Sequence, residues 1–264
     1  MNKLAGHQAR KRFGQNFLQD QNIISNILRS IGAKPGERVV EIGPGLGALT
    51  QGLLEATKGK LDVIELDRDL AGILKTQFFN YPNLKIHQGD ALKFNFSSLI
   101  SSQEKLRIVG NLPYNISTPL IFHLLTFASQ VQDMHFMLQK EVVERMAANV
   151  GDKAYGRLGI MVQYYCKVDS LFHVPPTAFH PAPKVDSAVV RLSPYQKLPV
   201  PAKDVEQLKV VVRTAFGQRR KTIRNTLKEL ISGSQLEQLG IDPGLRAEKL
   251  TLHNFVAISD NLIR

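Results

Sequence analysis

Apolar residues in this chain come in short runs separated by longer stretches of helical periodicity. The segments 38–42, 61–66, 84–88, 106–109 and 133–138 are short, mostly apolar runs and predict strands. Between them the spacing changes. Ile23, Ile24, Ile27, Leu28 and Ile31 share one helical face behind Asp20, a residue suited to cap a helix over 20–31. Further helices are expected over 48–56, 67–79 and 117–127, from Lys140, and over 157–165. Ser117 or Thr118 is the expected cap of the 117–127 helix, with Pro119 in its first turn.

Strands alternating with helices of about ten residues predict an α/β fold with a mostly parallel sheet covered on both faces. Two more strands, near 168–174 and 187–192, flank a proline-rich loop over 175–183 and are expected to close one edge as an antiparallel pair. Pro194, Pro199 and Pro201 mark a linker. Beyond it the pattern is helical throughout, over 205–216, 219–231, 236–239 and 254–263. Two domains follow, a sheet domain over 1–198 with a basic N-terminal arm and a smaller all-helical domain over 199–264.

Four strand ends carry candidate chemistry. Gly43-x-Gly45-x-x-Ala48 follows the first strand and has the form of a nucleotide-binding turn, in which glycine lets the backbone approach a ligand. Glu65 lies twenty residues past Gly45, where an acid that accepts from ribose hydroxyls is expected. Asp90, in Gly89-Asp90-Ala91, could take an adenine amino group. Glu41, two residues before the first glycine, suits a cationic ligand better than a pyrophosphate. These placements resemble the S-adenosylmethionine variant of the Rossmann-like fold, with NAD as the competing ligand. At the end of the fourth strand, Asn111-Leu112-Pro113-Tyr114 gathers an amide, a stiff turn and a flat phenol. On its own that run fits an ordinary turn as well as a ligand site.

Charge changes the picture. The net charge is +11, and most of it sits at the two ends: Lys3, Arg10, Lys11 and Arg12 in residues 1–16 with no acid, and 11 Lys/Arg against 7 Asp/Glu over 201–264. Such flanks suit a polyanion. Arg220, Arg224 and Lys228 recur every fourth residue beside Ile223, Leu227 and Ile231, which predicts a cationic helical ridge for RNA phosphates. No apolar run approaches the ~20 residues of a membrane helix. The single Cys166 excludes an internal disulfide, and the basic N-terminus lacks an apolar signal region, so a cytoplasmic protein is expected. The seven histidines show no metal-ligand spacing, and no metal is expected.

Five motifs occurring in order make the resemblance specific. Lys11-Arg12-Phe13-Gly14-Gln15-Asn16-Phe17-Leu18, Val40-Glu41-Ile42-Gly43-Pro44-Gly45, Val63-Ile64-Glu65-Leu66-Asp67, Gly110 to Ser117 and Pro183-Lys184-Val185-Asp186-Ser187 are similar to the ribosomal RNA adenine N6-dimethyltransferase family. The likeness runs over about 8–260 and takes in Gln218 to Asn225, which favours members acting on small-subunit (16S) rRNA. It implies dimethylation of two adjacent adenosines near the 16S 3′ end, with S-adenosylmethionine as methyl donor and the immature small subunit as partner, in ribosome biogenesis. Asn16, Leu18, Gly43, Glu65, Asp90 and Asn111 would line the donor pocket. Asn111 to Tyr114 would hold the acceptor base, and Phe179 would cover that base from its other face. The chain is expected to act as a monomer. Methylation of a 23S adenine, as in antibiotic-resistance enzymes, and a non-catalytic role in subunit assembly are the competing readings.

Overall fold

The strands form where β-branched and aliphatic residues can be buried at consecutive positions, because helices cover both faces of the sheet. In a computed structural model that describes residues 15–101, 104–218 and 220–263, Leu61–Glu65 is buried along its whole length, as is 106–110. The basic residues 3–12 and the start of the first motif, Lys11 to Gly14, lie outside the described residues.

In chain order the strands are β1 (Phe17–Leu18), β2 (Arg38–Ile42), β3 (Leu61–Glu65), β4 (Leu84–Gln88), β5 (Leu106–Asn111), β6 (Val131–Gln139), β7 (Cys166–Val174), β8 (Phe179–His180) and β9 (Ser187–Pro194). The helices that precede β7 in the chain are α1 (Gln21–Ile31), α2 (Thr50–Ala56), α3 (Arg68–Gln77), α4 (Ser117–Leu125), α5 (Lys140–Ala147) and α6 (Arg157–Tyr165). One seven-stranded sheet runs β4-β3-β2-β5-β6-β9-β7. Its first five strands are parallel to their neighbours, and β9 is antiparallel to β6. This is the expected Rossmann-like α/β sheet, with β9 and β7 at one edge. The short strands β1 and β8 pair antiparallel in a sheet of their own.

Several local expectations hold in detail. Asp20 caps α1, accepting from the N–H groups of Asn22 and Ile23, and Gly32 closes the helix in the left-handed region. Ile24, Ile27 and Ile31 then join Leu53, Leu54, Leu74, Val39, Val63 and Val109 in one core cluster. Two boundaries differ. Strand β5 runs on through Gly110 to Asn111, because glycine permits a close approach: a Cβ at 110 would lie 2.5 Å from the Ile42 carbonyl oxygen. Helix α4 has no side-chain cap. Ile116 is already in the helical region, so Ser117 falls in the first turn and donates to the Tyr114 carbonyl instead.

The chain divides into two compact units, Met1–Val143 with Asp169–Pro194, and Glu144–Val168 with Tyr195–Arg264. Within the second unit lie α7 (Val205–Ala215), α8 (Ile223–Thr226), α9 (Gly233–Gln238) and α10 (Leu252–Asn261). Helix α7 packs on α10 and on α6. Phe216 meets Phe255 at 5.9 Å and Tyr155 at 6.3 Å between ring centroids, and the Tyr155 hydroxyl donates to the Leu250 carbonyl.

The helix expected over 219–231 is not there. Thr222 is extended and bridges Arg246, while the Ile223 and Arg224 N–H groups donate to the carbonyls of Leu245 and Pro243. A non-local pairing has taken the backbone out of helical conformation, and only the single turn of α8 survives. Ile223, Leu227 and Ile231 are buried as expected. Arg220, Arg224 and Lys228, however, stand before, on and after α8 and form no continuous ridge. Arg224 faces Glu237 at 4.0 Å, and Lys228 faces Glu229 at 3.5 Å.

Candidate active site

The ends of three adjacent parallel strands leave polar groups pointing out of the sheet, where crossover helices diverge and a crevice opens. Here β2 ends at Ile42, β3 at Glu65 and β5 at Asn111. Around them is a cavity of about 620 Å³, within the ~300–1,000 Å³ of pockets that hold cofactor-sized ligands. The loop after β2 is its floor. Gly43, Gly45 and Gly47 all have positive φ, and at Gly45 a side chain would also meet the Phe17 ring, 3.2 Å from the Cβ position.

Of the residues expected at the donor pocket, Asn16, Leu18, Gly43, Glu65, Asp90 and Asn111 all line this one cavity. Leu112, Pro113 and Tyr114 line it too. Phe179 is not brought there. It pairs with Leu18 across the β1–β8 ladder and is buried in the core cluster with Ile24, Val174 and Ala178. Arg220, Arg224 and Lys228 belong to the second unit.

Among the described residues, hydroxyl and backbone N–H groups hold the carboxylates. The Glu65 side chain accepts from the N–H of Asp67 at 2.8 Å and of Gly45 at 3.3 Å, and burial, only partly offset by these bonds, raises its pKa. Glu41, 2 % exposed, accepts from the Thr50 hydroxyl at 2.6 Å, and burial pushes its pKa up to about 7. The Asp90 carboxylate accepts from the Leu92 N–H at 2.9 Å. Among the described residues that line the cavity there are three carboxylates and no Lys, Arg or His. That wall repels a pyrophosphate and suits a ligand carrying positive charge.

The acceptor run is equally well fixed. The Asn111 Nδ2 donates to the Asn16 carbonyl at 3.1 Å, which leaves Oδ1 as the acceptor of the amide. Leu112 is buried and its N–H donates to the Met137 carbonyl. The Pro113 carbonyl accepts from Ile116, so of the two neighbouring carbonyls Leu112 has the freer one. Tyr114 places its ring on the cavity wall and its hydroxyl 2.6 Å from the Ser187 hydroxyl.

Gln15, Phe17, Leu66 and Ser187 were not found as site residues from sequence. Leu66 follows Glu65 and could have been inferred from that position. Gln15 and Phe17 flank Asn16 and could have been inferred in the same way, whereas Ser187 reaches Tyr114 from 73 residues away and no local spacing marks it.

The family described as ribosomal RNA adenine dimethylase matches residues 6–264. A ribosomal RNA small subunit methyltransferase A from Hahella chejuensis is 61% identical, over 98% of this chain and 94% of its own length. The protein of the same name from Pseudomonas aeruginosa is 60% identical, over 99% and 97%. Among solved structures, a dimethyladenosine transferase from Plasmodium falciparum matches with TM-score 0.77 and 29% identity, covering 92% of this chain and 95% of that one. A 23S rRNA methyltransferase, ErmE, matches with TM-score 0.72 and 24% identity, covering 94% and 100%, a likeness of fold alone.

Proposed function

The chain belongs to the ribosomal RNA adenine dimethylase family, and from that premise we propose that it N6-dimethylates two adjacent adenosines near the 3′ end of 16S rRNA in the immature small subunit, as a step of ribosome biogenesis. The small-subunit relatives at about 60% identity favour 16S over 23S rRNA. The observation that carries the choice of donor is the wall of the cavity, three carboxylates with no cation among the described residues that line it. S-adenosylmethionine, when bound, supplies a methyl group on a sulfonium leaving group, so neither a metal nor a covalent nucleophile is needed.

The residues present fit such a donor. Glu65 would accept from the ribose hydroxyls, Asp90 from the adenine amine, and Glu41 would favour the cationic end. Gly43, Asn16 and Leu18 would close the pocket around them. On the acceptor side the adenine amine is a poor nucleophile, because its lone pair is delocalised into the ring. Asn111 Oδ1 and the Leu112 carbonyl would accept its hydrogens and localise that pair on nitrogen. Tyr114 would stack on the base, a contact worth about 1–3 kcal/mol. A paired adenine cannot reach these groups, so the base is flipped out or unpaired when it reacts. Fixed positioning of this kind can supply roughly 7–11 kcal/mol of a barrier. Phe179, buried behind Leu18, would support β1 in the structure described. Arg220, Arg224 and Lys228 would contact rRNA phosphates singly rather than as a ridge.

The test is methyl transfer from labelled S-adenosylmethionine to unmodified small subunits and, in parallel, to unmodified large subunits, with the modified bases mapped. Two adjacent dimethylated adenosines in 16S rRNA are expected. Label found only in 23S rRNA, or none in either, overturns the reading.

A further inference from the structure

The Pro183–Ser187 run is one of the family's ordered motifs, and nothing above gives it a task. Its last residue opens β9 and is fully buried. The Ser187 hydroxyl lies 2.6 Å from the Tyr114 hydroxyl, an ordinary O–H···O distance, although the two residues are 73 apart in the chain. Tyr114 is also held at its other end, where the Ser117 hydroxyl donates to its carbonyl at 3.1 Å. One serine fixes the backbone of the residue and another fixes the tip of its ring.

Ser187 is itself anchored from three sides. It stands opposite Gln139 in the β6–β9 ladder. The Lys140 N–H donates to the carbonyl of the preceding Asp186 at 2.9 Å. The Asp186 carboxylate lies 3.2 Å from His173 Nε2 on β7. The hydroxyl that meets the phenol is thus carried by sheet backbone rather than by a mobile loop. Burial holds the Tyr114 pKa above its ordinary value, so the phenol keeps the proton it shares with Ser187.

We propose that Ser187 is a positioning residue of the methyl-acceptor site: through its bond to the Tyr114 hydroxyl it fixes the position of the ring on which the target adenine stacks. The proposal rests on Tyr114 being that stacking ring. A phenylalanine would offer nearly the same face to a base. What the hydroxyl adds is a second fixed point at the far end of the ring's long axis, which stops the ring swinging about the Cα–Cβ bond and holds the stacked adenine amine toward the Asn111 amide.

The experiment measures single-turnover methyl transfer to unmodified small subunits, alongside S-adenosylmethionine affinity and thermal unfolding. Ser187→Ala and Tyr114→Phe are each expected to slow transfer about 3–10-fold, the worth of one neutral hydrogen bond, with donor affinity unchanged. Since both remove the same bond, the double variant should be no slower than either single one. Ser187→Thr, which keeps a hydroxyl, should recover most of the rate. Should Ser187→Ala unfold, Tyr114→Phe still tests the bond, because it removes one oxygen from the cavity wall. Wild-type rates in both single variants, or effects that multiply in the double, overturn the proposal. Tyr114→Ala separates the two levels of inference: it should cost about 10–100-fold if the ring stacks on the base. An inactive Tyr114→Ala beside a fully active Ser187→Ala sinks the positioning role alone, whereas an active Tyr114→Ala sinks the stacking role as well.

Discussion

The two ends of the central sheet treat charge in opposite ways. At the end where strands β2, β5 and β6 begin, Arg107 is nearly enclosed, and each of its nitrogens has an acceptor. It bonds both Asp133 oxygens at 2.9 and 2.8 Å, Glu37 at 2.7 Å and the Ile31 carbonyl at the end of α1 at 2.6 Å. Burial is the largest single influence on Glu37 and would push it up, but the bonds and charges of Arg107 and Lys34 together outweigh it and hold the carboxyl below its usual range. At the other end, the partners of Glu41 and Glu65 among the described residues are a hydroxyl and backbone N–H groups, and burial wins, raising both. Charge that is matched within the protein belongs to the fold, and charge left unmatched beside a cavity is kept for a ligand.

The contrast breaks first on stability. Arg107→Ala leaves Asp133, Glu37 and a helix-end carbonyl without their donor, and should cost about 3–5 kcal/mol in urea unfolding. Where the variant remains folded, its affinity for S-adenosylmethionine should match the wild type. A loss below ~1 kcal/mol would mean that the paired end is not holding the sheet together. Glu65→Ala should do the reverse. If Glu65 holds the ribose as proposed, losing that charged acceptor is worth about 1.5–3 kcal/mol of binding, or roughly 10–100-fold in calorimetric affinity. Its melting temperature should hold or rise, since the fold loses a carboxylate it keeps at a cost. A fall in stability comparable to that of Arg107→Ala would erase the distinction between the two ends.

The unmatched end was the more legible in the sequence, for a physical reason. A ligand loop at a strand end is built from contiguous residues, so Gly43, Gly45, Glu65 and Asp90 could be found by spacing within one or two elements. The matched end joins residues 26 and 70 apart around Arg107, and nothing local announces such pairs. Ser187 was visible as part of a motif but not as a partner of Tyr114, and the burial of Phe179 follows from the β1–β8 pairing, which is equally remote. The helix expected over 219–231 shows the opposite failure. Ile223, Leu227 and Ile231 satisfy the helical period and are buried, yet a bridge to Arg246 decides the backbone. Periodicity reports which residues go inside more securely than it reports the element that carries them.

The two ends meet on one rung of the sheet, and pH sets them against each other there. Glu41 on β2 and His135 on β6 are both in register with Val109 on β5. Glu41 faces Thr50 and feels Glu65, with a pKa of about 7 in the fold. His135 is lowered by burial to about 4, against an opposing pull from Asp133 and with Arg107 and Arg191 adding to the fall. Between pH 4.5 and 7 the folded chain keeps the Glu41 proton that the unfolded chain has lost, so this group's contribution to stability declines as pH rises. Between pH 4 and 6.5 the unfolded chain keeps a His135 proton that the fold refuses, so this contribution grows as pH rises. Over pH 4.5–6.5 the two slopes oppose, each about 1 kcal/mol per pH unit, and largely cancel. Removing either one should expose the other. Glu41→Gln should make urea stability climb with pH relative to wild type across that window, and His135→Phe should make it fall. Equal tilts in both variants would show that neither end sets the proton balance of the rung they share.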